Sequence, residues 1–224
     1  MEFKITQQEG IQLVGKLVGS TVSVDYTAML YEQPADNGCF LSIWQDTQIP
    51  FGKAGDPTNS IKGNERTGSQ VFDQLTTNVP YIVGWGAGNT TGTTDPNYGS
   101  IGASVSFTPG SDEDSGGIVT GVSDQVSITP ALVSANSIVA TFDTLDGNNP
   151  SKNGNWIGLW QGSTIDFDGG YLQKWDVTST NNSDSQGLNV EQAIRSGSTY
   201  TLAFASGPNK SDIVARVTFK TSGY

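Results

Sequence analysis

Apolar residues along this chain alternate with polar ones or gather in short runs between turn signals, as in SVDYTA (23–28), IVATF (138–142), YTLAFA (200–205) and IVARVTF (213–219). These runs are rich in β-branched and aromatic residues, which predicts strands. Val71 and Leu75 are spaced four apart, as are Val190 and Ile194, just before a strand. That spacing predicts one short helical turn in each half.

The pattern is written twice. Shifted by 116 positions (155 − 39), CFLSIWQDTQIPF at 39–51 falls on NWIGLWQGSTIDF at 155–167. The same shift lays TVSVDYTAM (21–29) on SIVATFDTL (137–145). After a slip, VPYIVGWGAG (79–88) meets STYTLAFASG (198–207), and ASVSFT (103–108) meets ARVTFK (215–220). Four blocks in one order define two copies of a domain of about 110 residues. The expected organisation is a first β-sandwich over 1–110, an acidic Gly/Ser linker over 111–117 and a second β-sandwich over 118–224. Each copy holds a full set of strand blocks, so each is expected to fold alone.

Seven or so strands per copy predict tandem immunoglobulin-like antiparallel β-sandwiches, an all-β fold. Such sandwiches bury a Trp on the third strand, and some carry a corner Tyr near the start of the sixth. Here the third strand is GCFLSIW or GNWIGLW, and Tyr81 and Tyr200 fall in the corner position. GNWIGLW also resembles the Trp-Ile/Val-Gly strand of SKICH domains, over residues 155–160; the first copy has Phe40 and Ser42 where that pattern has Trp and Gly. The resemblance implies an immunoglobulin-like module and adds nothing on function.

On these third strands Trp156, Gly158 and Trp160 share one face, and Ile157 and Leu159 the other. Phe40, Ser42 and Trp44 oppose Leu41 and Ile43 likewise. Both faces are apolar, so the strands are expected to be covered on both sides, with Trp44, Trp160 and Trp85 in the core. Trp175 stands apart, because the first copy has no matching aromatic. It is a candidate for a domain interface or for ligand binding.

Composition narrows the chemistry. The net charge of −11 disfavours nucleic acid as a partner. No stretch approaches the roughly 20 apolar residues of a membrane span. The start of the chain lacks the features of a signal peptide, which is the expectation for a cytoplasmic protein, one released by an unconventional route, or one whose leader was removed. The chain has no histidine and one cysteine, Cys39, expected to be half-buried at a strand start. A Ser or Cys hydrolase would lack its usual base. A carboxylate-pair hydrolase is the catalytic alternative. No phosphate-binding loop is written, and no cofactor is required.

The candidate ligand sites are loops. In sandwiches of this kind the loop after the second strand meets the loop after the sixth. The first copy places Asp36, Asn37, Asp95 and Tyr98 there; the second places Asp146, Asn148, Asn149 and Asn209, with Asp168 nearby. Calcium takes oxygen ligands from such loops, with Asp146, Asp166 and Asp168 as metal candidates, although no EF-hand spacing occurs. Asn89, Asn181 and Asn209 begin glycosylation sequons. The leading reading is a non-catalytic, lectin-like protein that binds a glycan or glycoconjugate through tandem modules. The alternative is a structural, self-assembling or toxin-component protein that engages proteins or lipids, with a homo-oligomer as one form.

Overall fold

The alternating runs pair as antiparallel strands. A computed structural model describes residues 1–109, 117–166 and 170–222. In chain order the strands are β1 (Phe3–Gly10), β2 (Gln12–Val18), β3 (Thr21–Thr27), β4 (Phe40–Trp44), β5 (Thr58–Ser60), β6 (Thr67–Phe72), β7 (Tyr81–Gly86), β8 (Ile101–Phe107) and β9 (Ile118–Thr120). They continue as β10 (Val122–Gln125), β11 (Ser127–Val133), β12 (Ser137–Asp143), β13 (Trp156–Gln161), β14 (Gln173–Asp176), β15 (Ser183–Asn189), β16 (Thr199–Ala205) and β17 (Ile213–Thr221). The protein is all-β, as the pattern predicts.

Two compact units form. The first holds Ile11–Gln125 with Leu145–Gly147, and the second holds Met1–Gly10, Val126–Thr144 and Asn148–Tyr224. In the first unit one sheet runs β6-β3-β2-β9 and the other β10-β8-β7-β4-β5. In the second the sheets run β11-β12-β15 and β1-β17-β16-β13-β14. Within each copy, the first, second and fifth strands share one sheet and the third, sixth and seventh the other, which is the immunoglobulin division. The corner tyrosines are in place. Tyr81 donates its hydroxyl to the Thr76 carbonyl at 3.1 Å, and the Tyr200 hydroxyl accepts from Arg195 N–H at 2.9 Å.

The units cut across the sequence boundaries at 110 and 118, because each copy lends its leading strand to the other unit. β1 pairs with β17, Phe3 opposite Thr221 and Gly10 opposite Ala215. β10 pairs with β8, Val122 opposite Ser106 and Gln125 opposite Ala103. In both copies a single buried aliphatic, Ile11 or Val126, separates the lent strand from the next. The linker itself, 111–117, lies outside the described residues apart from Gly117.

One sheet of each unit is half-solvated, and β2 alternates exposed with buried along its length. The other sheet is covered on both faces at β4 and β7, where every residue is buried. The inter-sheet face of β13 carries Ile157 and Leu159, opposite Phe204 and Leu202 of β16. Phe204 meets Phe142 of the facing sheet at 5.3 Å between ring centroids. Trp156 and Trp160 therefore lie on the outer face, as do Phe40 and Trp44. They are buried, but they do not take the inter-sheet place of the immunoglobulin Trp. In the first unit that place falls to Trp85 on β7, 5.0 Å from Tyr26 of the opposite sheet.

The expected helical turns do not form. Val71 is a strand residue of β6, and Gln74 and Asn78 have φ of 61° and 60°, which interrupts any right-handed helix. Leu75 is an anchor whose N–H donates to Ser20 O at 3.0 Å, and Val190 and Ile194 donate likewise to Asn136 O and Ala135 O. The helix among the described residues is a single 3₁₀ turn, Lys210–Asp212. No helix there is long and apolar enough to cross a membrane.

Candidate functional site

In the first unit the loop after β3 and the loop after β7 meet. The Asn89 side chain lies against Gly38, where any Cβ would collide with it. The Cys39 thiol shares its one proton between Ala87 O and Glu32 Oε1, each 3.3 Å from the sulfur. Cys39 is thus fully buried rather than half-buried. The second carboxylate oxygen of Glu32 accepts from Met29 N–H at 3.1 Å. Glu32 is itself buried and pins the base of the loop.

That base holds one residue in a costly conformation. Glu32 N–H closes a turn on Met29 O at 3.2 Å, and Tyr31 inside the turn has φ of 69°. Glycine is the residue this position favours, since a Cβ at positive φ crowds the backbone. The cost is about 1–3 kcal/mol. Tyr31 bears it with a ring that is 60% exposed, so core packing does not repay it.

The predicted residues of this loop end divide. Asp36 is exposed, accepts from Asn64 Nδ2 at 3.0 Å and receives Asn64 Oδ1 on its backbone N–H at 3.2 Å. Asn37 is half-buried in the same turn, its N–H on Gln33 O at 2.8 Å. Asp95 is exposed at the tip of the second loop, where its carbonyl accepts from Thr90 N–H at 2.8 Å. Tyr98 points inward. Its ring meets Phe40 at 5.3 Å and Trp44 at 6.4 Å, and its hydroxyl donates to Thr58 Oγ1 at 3.1 Å.

In the second unit the corresponding loops also meet, Gly154 facing Pro208. Asn148 is buried and bonds Asn155 Oδ1 at 3.1 Å and Asn153 at 2.8 Å. Asn149 accepts from Lys152 N–H at 3.1 Å, and Asn209 caps the 3₁₀ turn, donating its N–H to Asp212 Oδ2 at 2.7 Å. These three serve the loops' own geometry. Asp146 falls in Leu145–Gly147, which groups with the first unit. Asp168 lies outside the described residues, and Asp166 is exposed just before them. Among the described residues no three His, Cys, Asp or Glu side chains gather as a metal would require.

Trp175 has a place on an edge strand. It sits opposite Ile157, on the inter-sheet side of β14, and its indole N–H donates to Asn189 O at 3.1 Å. Its counterpart in the first copy is Asn59, opposite Leu41. Pairing reveals this correspondence; the sequence there shows no likeness.

A second feature of the first unit escaped the sequence reading. On the outer face of its two-sided sheet, a groove of about 340 Å³ is lined by Ile82, Ser104, Ser106, Asp124, Leu145 and Asp146, among others. It takes residues from five separate stretches of chain, so no local motif announces it.

Comparison with known proteins adds little to this geometry. No family model matches the sequence, and no curated protein does. Among solved structures, the crystal structure of a DUF3823 family protein from Bacteroides uniformis ATCC 8492 is similar over 88% of this chain and 94% of its own, at 10% identity and a TM-score of 0.28.

Proposed function

We propose that the protein is a non-catalytic, lectin-like carbohydrate-binding protein and that the loop end of the first unit holds the sugar. The observation that carries this reading is Tyr31, an exposed ring kept at a glycine-like φ of 69°. Strain held at a surface aromatic marks a ring positioned for use. A tyrosine face offers an apolar platform for a sugar ring at little entropic cost. Asp36, Asn37 and Asp95, on the two loops that meet here, supply acceptors and an amide for hydroxyls. Tandem units add avidity toward repeated glycans.

Tyr31→Gly tests this with two readouts of opposite sign. It should relieve the left-handed strain and raise stability by about 1 kcal/mol in a denaturant melt. It should also abolish binding to whatever glycan the wild type retains on an array, screened with calcium and with a chelator. Absence of any array signal for the wild type, or undiminished binding by Tyr31→Gly, overturns the reading.

Self-assembly is the second reading, favoured by a different surface. Val14, Val18, Val71 and Ile118 are all exposed on the outer face of β6-β3-β2-β9, with Val18 directly opposite Ile118. Clustered exposed apolar residues mark interaction surfaces. Elution volume measured over a range of concentrations decides it, with Val18→Lys as the variant that should dissolve any oligomer.

A further inference from the structure

The repeat allows one unit to be read against the other, residue by residue across the sheet. In the second unit a cross-strand row runs Glu9, Arg216, Ala203, Gly158, Lys174. In the first unit the matching row runs Asp124, Ser104, Gly84, Ser42, Thr58. The strands, the face and the order are the same. The second row places a guanidinium beside its carboxylate: Arg216 Nε and Nη2 lie 2.7 Å and 2.6 Å from Glu9 Oε2. Arg216 Nη1 donates to Ser163 O at 3.4 Å. The arginine is almost wholly buried.

The first row keeps the acid and replaces the arginine with serine. What lies over that serine is the groove of about 340 Å³, a size at the lower end of ligand clefts. Its walls are apolar at Ile49, Ile82, Val122 and Leu145, which suits an aliphatic stem. Two carboxylates, Asp124 and Asp146, stand along it. Ser104 is only 5% exposed, lines the groove, and its hydroxyl has no hydrogen-bond partner among the described residues. Its oxygen is not one of the fully enclosed unpartnered atoms, so it opens onto the groove, where a ligand donor or acceptor can reach it.

We propose that this groove binds the arginine side chain of a partner peptide or protein, seating its guanidinium beside Asp124 where the second unit seats its own Arg216. The planar fork of a guanidinium gives two parallel bonds to a carboxylate, which an ammonium cannot reproduce. The acidic chain as a whole attracts basic partners. This site is separate from the loop end proposed for sugars, and neither depends on the other.

The test titrates N-acetyl-Gly-Arg-Gly-amide into the isotope-labelled full chain, with the citrulline peptide as the uncharged isostere. Saturable amide shifts should appear at Ser104, Ser106, Asp124 and Asp146. Affinity should fall about ten-fold or more for citrulline, and similarly for the arginine peptide on Asp124→Asn. Ser104→Arg should fill the groove from within, abolish peptide binding and leave the fold intact. Equal shifts by both peptides, shifts confined to other residues, or unchanged affinity in Asp124→Asn each overturn the proposal. If Ser104→Arg fails to fold, the citrulline and Asp124→Asn arms still decide it.

Discussion

The outer face of the third strand is covered in both units, but by different means. In the first, Phe40 and Trp44 of β4 receive Tyr98 from the loop between β7 and β8. Ile49, Phe51, Ile82, Ile101 and Leu145 complete that cluster. In the second, Trp156 and Trp160 of β13 lean over Gly158, their ring centroids 6.3 Å apart. Tyr171, from the segment before β14, closes the face at 5.9 Å and 6.0 Å from the two rings, and Lys174 Nζ lies 4.9 Å from the Trp156 ring. A strand with two apolar faces demands a third ring, and the fold leaves open which loop supplies it. The demand belongs to the scaffold and the answer belongs to each copy's loops.

The comparison can be broken most severely at the shared strands. Fragments 1–110 and 117–224 were expected to fold alone. The structure leaves β8 without β10 in the first fragment and β17 without β1 in the second. Each fragment should lose much of the roughly 5–15 kcal/mol that stabilises an ordinary domain, and mixing the two should restore the melt of the intact chain. Two cooperative melts as stable as the whole would show that the lent strands are dispensable.

Next in size are the tryptophans. Trp44→Ala and Trp160→Ala should each cost about 3–5 kcal/mol in chemical denaturation. The phenylalanine variants should separate the units. Trp44 Nε1 donates to Lys53 O at 3.1 Å, whereas the buried Trp160 N–H has no partner among the described residues. Trp44→Phe should therefore cost about 1 kcal/mol more than Trp160→Phe.

Exchanging the small residue between the rings sharpens the contrast. A Cβ at Gly158 would run into both indoles, so Gly158→Ser should cost about 1–3 kcal/mol through overpacking. Ser42 already bears a side chain bonded to Thr58 Oγ1 at 2.6 Å, and Ser42→Gly should cost about 1 kcal/mol.

The smallest expected difference lies at the corners. Tyr200→Phe orphans the Arg195 N–H, and Tyr81→Phe orphans the Thr76 carbonyl. Both residues are exposed, so water takes up part of each lost bond, and an unpaired N–H is tolerated less well than a carbonyl with its two lone pairs. Both variants should cost about 1 kcal/mol, with Tyr200→Phe the more damaging by a few tenths, readable as a difference in melting temperature.

Much of the fold was legible because strand blocks repeat in order, and the corner tyrosines could be placed from spacing alone. The outer-face position of Trp156 and Trp160 was not, since a strand apolar on both sides carries no sign of which face meets the other sheet. The partner of β1 was hidden for a different reason: edge pairing is made by backbone groups, which every residue shares. The false helical turns arose where the end of β6 and the anchor Leu75 happened to stand four apart. At the candidate sites, Asp36, Asn37 and Asp95 were found as loop residues, while Asn148, Asn149 and Asn209 proved to hold their own turns. Tyr31 was missed because its signal is a backbone angle. The groove was missed because β10 and Leu145–Gly147 reach it from outside the first copy.

The lent strand β1 also sets a timetable for synthesis. Phe3 pairs with Thr221, 218 residues later (221 − 3). At ribosomal speeds of roughly 5–20 residues per second, β1 leaves the exit tunnel and waits roughly 10–45 s for its partner. Through that interval FKITQQEG is a solitary strand with a free edge, open to chaperones and to the β17 of a neighbouring nascent chain. Its polar lettering, five of eight positions exposed even when paired, reads as protection suited to that wait.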